Sequence, residues 1–118
     1  MPSAAPLMGT WELRRGTEGI GSFTDYAPGN GRLLKFSNEN KYDRYEGNQL
    51  TESGTFHLTS EKSGNNNKRV NLIRLGDSQM RDKFAVVNDT LSLSTYPYDD
   101  NGNMIMDGGT TRYVRISE

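Results

Sequence analysis

The stretch LMGTWELRR, residues 7–15, contains the only tryptophan of this 118-residue chain, two positions after a glycine. Apolar and polar residues alternate from Trp11 onward, a period typical of a half-buried strand, so Trp11 and Leu13 share one face. An indole on the inner face of a closed sheet fills the space where the interior narrows, and Gly9 leaves room for a neighbouring backbone. The stretch therefore predicts the first strand of a closed sheet, with Trp11 pointing inward.

The rest of the chain shows the same alternation and no helical period. Gly47-Asn48 and Asn88-Asp89 are two-residue hairpin signals, Gly54 predicts a bulge or a bend, and residues 16–31 form a glycine-rich connection. Seven further strands are predicted at residues 32–37, 41–46, 51–60, 69–75, 81–87, 90–96 and 110–117.

Short links between successive strands favour an up-and-down order over a Greek key. Eight strands make a closed barrel just wide enough to be filled by side chains or to hold one small ligand. The sequence therefore predicts an all-β fold, an antiparallel up-and-down β-barrel of about eight strands. One domain spans residues 1–118, and residues 1–7 are expected to be a flexible segment.

Composition excludes several classes of function. The net charge of −1 argues against electrostatic binding of nucleic acid or anionic lipid. The absence of cysteine excludes disulfides, thiol nucleophiles and thiolate metal sites. No apolar run reaches transmembrane length, and MPSAAPL lacks the features of a signal peptide. We expect either a cytoplasmic protein or the mature domain of an exported one.

The basic residues are most concentrated between Lys68 and Lys83. Asp77 and Asp82 interrupt this segment along the sequence. We therefore interpret it as an ordinary solvated strand face and not as a surface for nucleic acid.

The motif GTWEL, residues 9–13, resembles the Gly-x-Trp signature of the calycin group, which comprises lipocalins and fatty-acid-binding proteins. The segment TTRYVRI, residues 110–116, resembles the last strand of that group, where an arginine packs across the tryptophan. Residues 34–58 are similar to small bacterial lipocalin-like domains, which are commonly secreted or lipid-anchored. The resemblance implies a lipocalin-like barrel outside the cytoplasm, in the periplasm or as an outer-membrane lipoprotein. Residues 16–31 are too rich in glycine for the helical pair of fatty-acid-binding proteins, so no family ligand residues are carried over.

An arginine on the last strand is expected to lie on the indole face of Trp11, a contact of about 0.5–2 kcal/mol. Arg112 is the first choice for this partner and Arg115 the second. Together with Gly9 and Trp11, these residues are predicted to have structural roles.

The segment YDRY, residues 42–45, carries the ligand prediction. Whichever face turns inward brings a phenol and a charge into the barrel, and a buried charge must be paired or solvated. Arg44 or Arg74 is then placed to meet an anionic group such as a carboxylate; the alternative is that these arginines lie at the rim. The predicted ligand-binding residues are Tyr42, Arg44, Phe56, Leu58, Phe84, Val86, Leu93 and Tyr96.

Catalysis is disfavoured. His57 is the only histidine, is expected to point outward beside Phe56, and has no nucleophile in a recognisable motif. Asp99, Asn101 and Asn103 alternate as in an EF-hand loop, but the required glycine and glutamate are missing, so we interpret them as turn residues. No metal and no cofactor are expected. Residues 104–106 are apolar, and either pack beneath their loop or cover a cavity.

Two hypotheses of function follow. The first is a carrier that binds a small, partly apolar or amphiphilic molecule inside the barrel without covalent chemistry. The alternative is an interaction module with a side-chain-filled barrel, whose loops 61–68 and 97–109 contact a protein or a glycan.

Overall fold

The computed structural model describes residues 3–17, 23–63, 68–77, 81–96 and 109–118. A 3₁₀ turn, Ala5–Leu7, precedes the first strand. Within the described ranges, no helix is long and apolar enough to cross a membrane. The strands, numbered in chain order, are β1 (Gly9–Thr17), β2 (Phe23–Asp25), β3 (Leu33–Ser37), β4 (Lys41–Glu46), β5 (Gln49–Ser63), β6 (Lys68–Leu75), β7 (Asp82–Val87), β8 (Thr90–Thr95) and β9 (Thr110–Ser117).

The strands form one antiparallel sheet whose hydrogen bonding runs in a ring. From β3 to β8, each strand pairs with the strand that follows it in the chain. The first strand, β1, pairs with both β3 and β9, which completes the ring. The predicted all-β class and next-neighbour order are therefore confirmed. The short strand β2 was not predicted; it lies within the glycine-rich connection and pairs with the end of β1, Arg15–Thr17.

The turns follow from backbone conformation. Gly47 and Asn48 have φ values of 59° and 64° between β4 and β5, and Asn88 has a φ of 54° between β7 and β8. Residues with short polar side chains or none tolerate this region, so both predicted hairpins are confirmed.

The bulge predicted at Gly54 lies elsewhere. The register of β4 and β5 shifts between Arg44 and Tyr45. Gly54 instead makes room for an aromatic ring, because a Cβ there would lie 3.2 Å from Cε1 of Tyr42.

The core lies on the inner side of the ring. In β8, Leu91 and Leu93 are buried, while Ser92 between them is partly exposed. Phe36 and Phe56 meet edge to face with ring centroids 5.1 Å apart, a favoured aromatic geometry. The buried cluster consists of Leu7, Trp11, Leu34, Phe36, Tyr42, Phe56, Ile73, Leu91, Leu93 and Tyr113.

Trp11 is fully buried within this cluster. Its Nε1 donates a hydrogen bond to the carbonyl oxygen of Leu7 at 2.8 Å, and Leu7 is itself fully buried. Residues 1–7 were expected to be a flexible segment; the structure forms a 3₁₀ turn at Ala5–Leu7, in which Leu7 belongs to the core while Ala5 and Pro6 are exposed. We call Leu7, Trp11 and Arg115 the tryptophan clamp.

Arg115, and not Arg112, lies on the indole. The Cζ of Arg115 is 4.5 Å from the centroid of the Trp11 ring. Its Nη1 donates to the carbonyl oxygen of Met8 and its Nη2 to that of Pro6, both at 2.7 Å. One guanidinium therefore holds the indole and the segment that leads into β1.

The first choice of Arg112 was wrong because of strand register. Trp11 pairs with Arg115 and Leu13 pairs with Tyr113, so the odd-numbered residues of β9 face inward. Arg112 has the opposite orientation and is exposed. Two bulges set this register, one in β9 next to the pair of Trp11 and Arg115 and one in β1 between Leu13 and Arg15, and alternation along one strand does not reveal them.

Gly9 allows the first and last strands to approach each other. Its φ is 123°, and a Cβ at this position would lie 2.5 Å from the carbonyl oxygen of Ser117. The predicted structural role of Gly9 is therefore seen in this contact with the backbone of β9.

Substitution of Trp11 by alanine should lower the free energy of unfolding by about 3–5 kcal/mol, because a large buried ring leaves a cavity. Chemical denaturation followed by circular dichroism measures this loss. Trp11→Phe is the control, because it keeps an aromatic ring and loses only the hydrogen bond to Leu7. Equal stability of Trp11→Ala and the natural protein contradicts the clamp.

Substitution of Arg115 by alanine should lower the free energy of unfolding by about 2–4 kcal/mol, since it removes the indole contact and two charge-assisted hydrogen bonds. Arg112→Ala is the matched control on the same strand and should change stability by at most about 0.5 kcal/mol. Thermal or chemical unfolding of the two variants side by side tests the assignment. A larger loss in Arg112→Ala refutes it.

Candidate functional site

Polar side chains from several strands, chiefly β4, lie on the inner face of the ring. Tyr42 and Arg44 pair with the core residues Phe36 and Leu34, so they face inward. Tyr42 is buried and Arg44 is about one-third exposed. The ring therefore encloses the phenol and the charge that the YDRY segment predicted.

Tyr42 is fitted closely against its neighbours. Its hydroxyl donates to Oε2 of Glu52. A Cβ on Gly76, in the turn after β6, would lie 3.0 Å from the same hydroxyl, so Gly76 and Gly54 on β5 together accommodate the ring. Burial, followed by the hydrogen bond to Glu52, raises the pKa of Tyr42 to about 12.

Arg44 lies among carboxylates. Its Nε is 3.6 Å from Oε1 of Glu52. Asp82 pairs with the core residue Ile73 and therefore faces the same interior. Burial raises the pKa of Asp82, and the positive charge of Arg44 partly opposes that rise. We call Tyr42, Arg44, Glu52 and Asp82 the inner polar cluster.

A small cavity adjoins Arg44. Its volume is about 40 Å³, enough for one or a few water molecules. Leu13 and Tyr113 line it from the strands that carry the tryptophan clamp, and Arg44 contributes the polar side. The remaining lining residues are Arg32, Leu33, Tyr45 and Glu46.

Most of the predicted ligand-binding residues share this interior. Phe56 and Leu93 belong to the buried cluster. The side chains of Leu58, Phe84 and Val86 pack against it. The structure therefore brings seven of the predicted side chains to one inner face, with Tyr42 and Arg44 as the polar members.

Tyr96 is the exception. It is buried, but its ring lies 5.3 Å from Cζ of Arg81, and its backbone N–H donates to the carbonyl oxygen of Arg81. Positions 93 and 96 are three apart, so alternation places them on opposite faces of the sheet. The prediction that Tyr96 shares the interior with Leu93 was wrong for this reason.

Arg74 also lies outside. It pairs with His57, which is exposed as predicted. A carboxylate inside the ring can therefore meet Arg44 but not Arg74.

A cleft separates parts of β6 and β7. Within the described residues these strands share only two residue pairs, Leu72 with Lys83 and Ile73 with Asp82. Beyond them opens a cleft of about 390 Å³. Its lining consists of Arg69, Val70, Asn71, Lys83, Phe84, Ala85, Ser92 and Ser94. Alternation predicts both strands but not how far they pair.

Other predictions fall partly or wholly outside the described residues. These are the EF-hand-like residues Asp99, Asn101 and Asn103, the apolar residues 104–106, and most of the loops 61–68 and 97–109. In the part of the chain that is described, no group of three or more histidine or acidic side chains is arranged to hold a metal ion.

Comparisons with family models, with curated proteins and with solved structures give no match to this chain. The resemblance to the calycin group therefore stays a prediction. What the protein does has to be argued from the geometry of its own residues.

The pKa of Tyr42 predicts a specific alkaline response. An unfolded tyrosine ionises near 10.0 and the folded Tyr42 near 12, so its contribution is complete below pH 10 and lost as the pH rises through about 12. The stability difference between the natural protein and Tyr42→Phe should shrink across this interval. Urea denaturation at several pH values measures it. Tyr26→Phe, outside the inner polar cluster, is the control, and a pH-independent difference for Tyr42→Phe contradicts the assignment.

Proposed function

We propose that this protein is a lipocalin-like β-barrel that binds a small, partly apolar or amphiphilic molecule without covalent chemistry. The site is the part of the interior where Arg44 of the inner polar cluster lines a cavity with Leu13 and Tyr113. The ring of hydrogen-bonded strands, with β1 paired to β9, supports the barrel. The residues that resemble bacterial lipocalin-like domains support a location outside the cytoplasm.

One observation carries the proposal: the buried Tyr42 and the partly exposed Arg44, on the inner face of the ring, both contact Glu52, whose side chain is 48% exposed. Burying ionisable groups costs free energy unless they are paired, and a core of apolar residues avoids that cost. Small-molecule sites combine apolar walls with a few placed polar groups that fix orientation. Leu13 and Tyr113 provide such walls beside Arg44.

The charges define which polar group the ligand carries. The charged residues that line the cavity are Arg32, Arg44 and Glu46, and Arg44 also lies 3.6 Å from Glu52. A hydroxyl can accept from the guanidinium groups and donate to the carboxylates, whereas an amine or a carboxylate meets a like charge as well as an opposite one. The proposed ligand therefore presents a hydroxyl group to the cavity.

The size of the cavity defines how the ligand lies. Ligand pockets usually enclose about 300–1,000 Å³, far more than the 40 Å³ beside Arg44. Only the polar end group enters this space. The apolar part lies at the mouth, against Leu33 and Tyr45.

Nuclear magnetic resonance titration tests the proposal, with matched alkyl alcohols, alkyl amines and alkyl carboxylates as probes. We expect saturable shifts at Leu13 and Tyr113, larger for alcohols than for amines or carboxylates. Arg44→Leu removes a donor and should weaken binding of the alcohol by about tenfold or more, which corresponds to about 1.4 kcal/mol. Arg112→Leu, an exposed arginine on β9, should bind as the natural protein does. No saturable shift at Leu13 or Tyr113 with any probe refutes the proposal.

The second candidate is an interaction module. It is favoured by the side chains that fill most of the ring and by the cleft between β6 and β7, which is larger than the inner cavity. In that case a peptide or a glycan, and not an alkyl probe, causes shifts at Phe84 and Ala85. The same spectra therefore separate the two candidates.

A further inference from the structure

We propose that the cleft between β6 and β7 binds a short, extended, acidic peptide that pairs with the free backbone edges of both strands. This inference gives the second candidate function a specific partner, and it rests on that candidate. It does not depend on the ligand proposed for the interior, because the cleft and the inner cavity share no described lining residue.

Both strands have a free edge on the side of the cleft. On its other side, β6 pairs with β5 along its whole length, and β7 does the same with β8. Toward each other, the two strands share only the pairs of Leu72 with Lys83 and of Ile73 with Asp82. Beyond these pairs, the backbone groups that point across the seam have no partner strand in the described part of the chain.

The cleft opens where the ladder between β6 and β7 would continue. Beyond the last shared pair, the same register would place Asn71 opposite Phe84 and Val70 opposite Ala85. All four residues line the cleft instead. The edges of two antiparallel strands therefore face each other across a gap. A strand inserted between them is antiparallel to one and parallel to the other.

An extended peptide is the ligand shape that free strand edges bind. Such an edge presents a row of unpaired N–H and C=O groups, and a peptide binds it by adding a strand, with main-chain hydrogen bonds supplying affinity. The cleft encloses about 390 Å³, within the range of about 300–1,000 Å³ that is usual for ligand pockets. Its wall on β6, residues 69–71, extends about 10 Å and so matches a segment of about three residues.

The charges of the cleft favour an acidic segment. Arg69 and Lys83 line it and are exposed, and no carboxylate belongs to its described lining. Of the carboxylates nearby, Glu61 contacts Arg81, and Asp82 faces the interior. Charged side chains at a strand edge also deter indiscriminate pairing, so the two cations disfavour basic segments.

Alternation defines which side chains the segment carries. Phe84 packs against the buried cluster, so its neighbours Lys83 and Ala85 face outward. Their partners on β8, Ser94 and Ser92, do the same. Successive side chains of a strand point to opposite faces. An apolar residue of the peptide that points inward therefore contacts Phe84, and an acidic residue next to it points outward to Lys83 and the two serine hydroxyls.

The test is titration of the whole chain with an acetylated and amidated pentapeptide in which glutamate and valine alternate, followed by amide resonances at constant ionic strength. We expect saturable shifts at Val70, Asn71 and Ala85, and none at Leu13 or Tyr113 of the inner cavity. A peptide with lysine in place of glutamate should bind about tenfold or more weakly. N-methylation of alternate peptide amides should weaken binding to a similar extent, because it removes the hydrogen bonds to one edge.

A double variant tests the charges. Arg69→Ala with Lys83→Ala should weaken binding of the acidic peptide by about fivefold or more, because it removes two cations. Lys35→Ala with Arg112→Ala is the matched control, since it removes one exposed lysine and one exposed arginine from other strands. Circular dichroism checks that both variants are folded. For the natural protein, higher ionic strength should weaken binding of the acidic peptide.

Three outcomes overturn the inference. Equal binding of the glutamate and lysine peptides contradicts the charge selection, and equal binding of the N-methylated peptide contradicts strand pairing. Shifts at Phe84 and Ala85 with a neutral trisaccharide but not with the peptide also overturn it, while the second candidate function stands. If neither probe causes shifts there, the inference and the second candidate fail together.

Discussion

The contact between the indole of Trp11 and the guanidinium of Arg115 is the constraint on which the rest of the structure depends. It joins the first strand to the last, and the same arginine reaches a carbonyl 107 positions earlier in the chain. Because one side chain binds both the ring and the segment before β1, the ends of the sheet meet in a single register. Closing a sheet in this way leaves no free edge between β1 and β9.

The interior of the ring combines two unlike kinds of side chain. Most of it is filled by apolar and aromatic side chains, which make up for the low aliphatic content of the chain. Within the same interior, Tyr42 forms a hydrogen bond with Glu52 that an apolar filling does not require. The ion pairing of Arg44 explains how charge is accommodated inside a small sheet.

Local patterns were sufficient to predict most of the strands and the tight turns, because side-chain alternation and left-handed turn residues act within a few positions. For the same reason they placed Tyr42 and Arg44 on one face, but they left open which face of residues 42–45 turns inward. They did not predict Arg115 as the partner of Trp11, since bulges in β1 and β9 set the register between strands about a hundred residues apart. Nor did they place Tyr96 and Arg81 together, because that contact forms on the outer face after a strand has ended.

The short pairing of β6 with β7 has a mechanical consequence. Two residue pairs connect them in the described part of the chain, whereas β5 and β6 share a ladder several times as long. Separating β6 from β7 breaks fewer backbone hydrogen bonds than separating β5 from β6, so we expect local opening to begin between β6 and β7. Neither strand pairs with β1 or β9, so such an opening leaves the pairing that holds Trp11 against Arg115 in place.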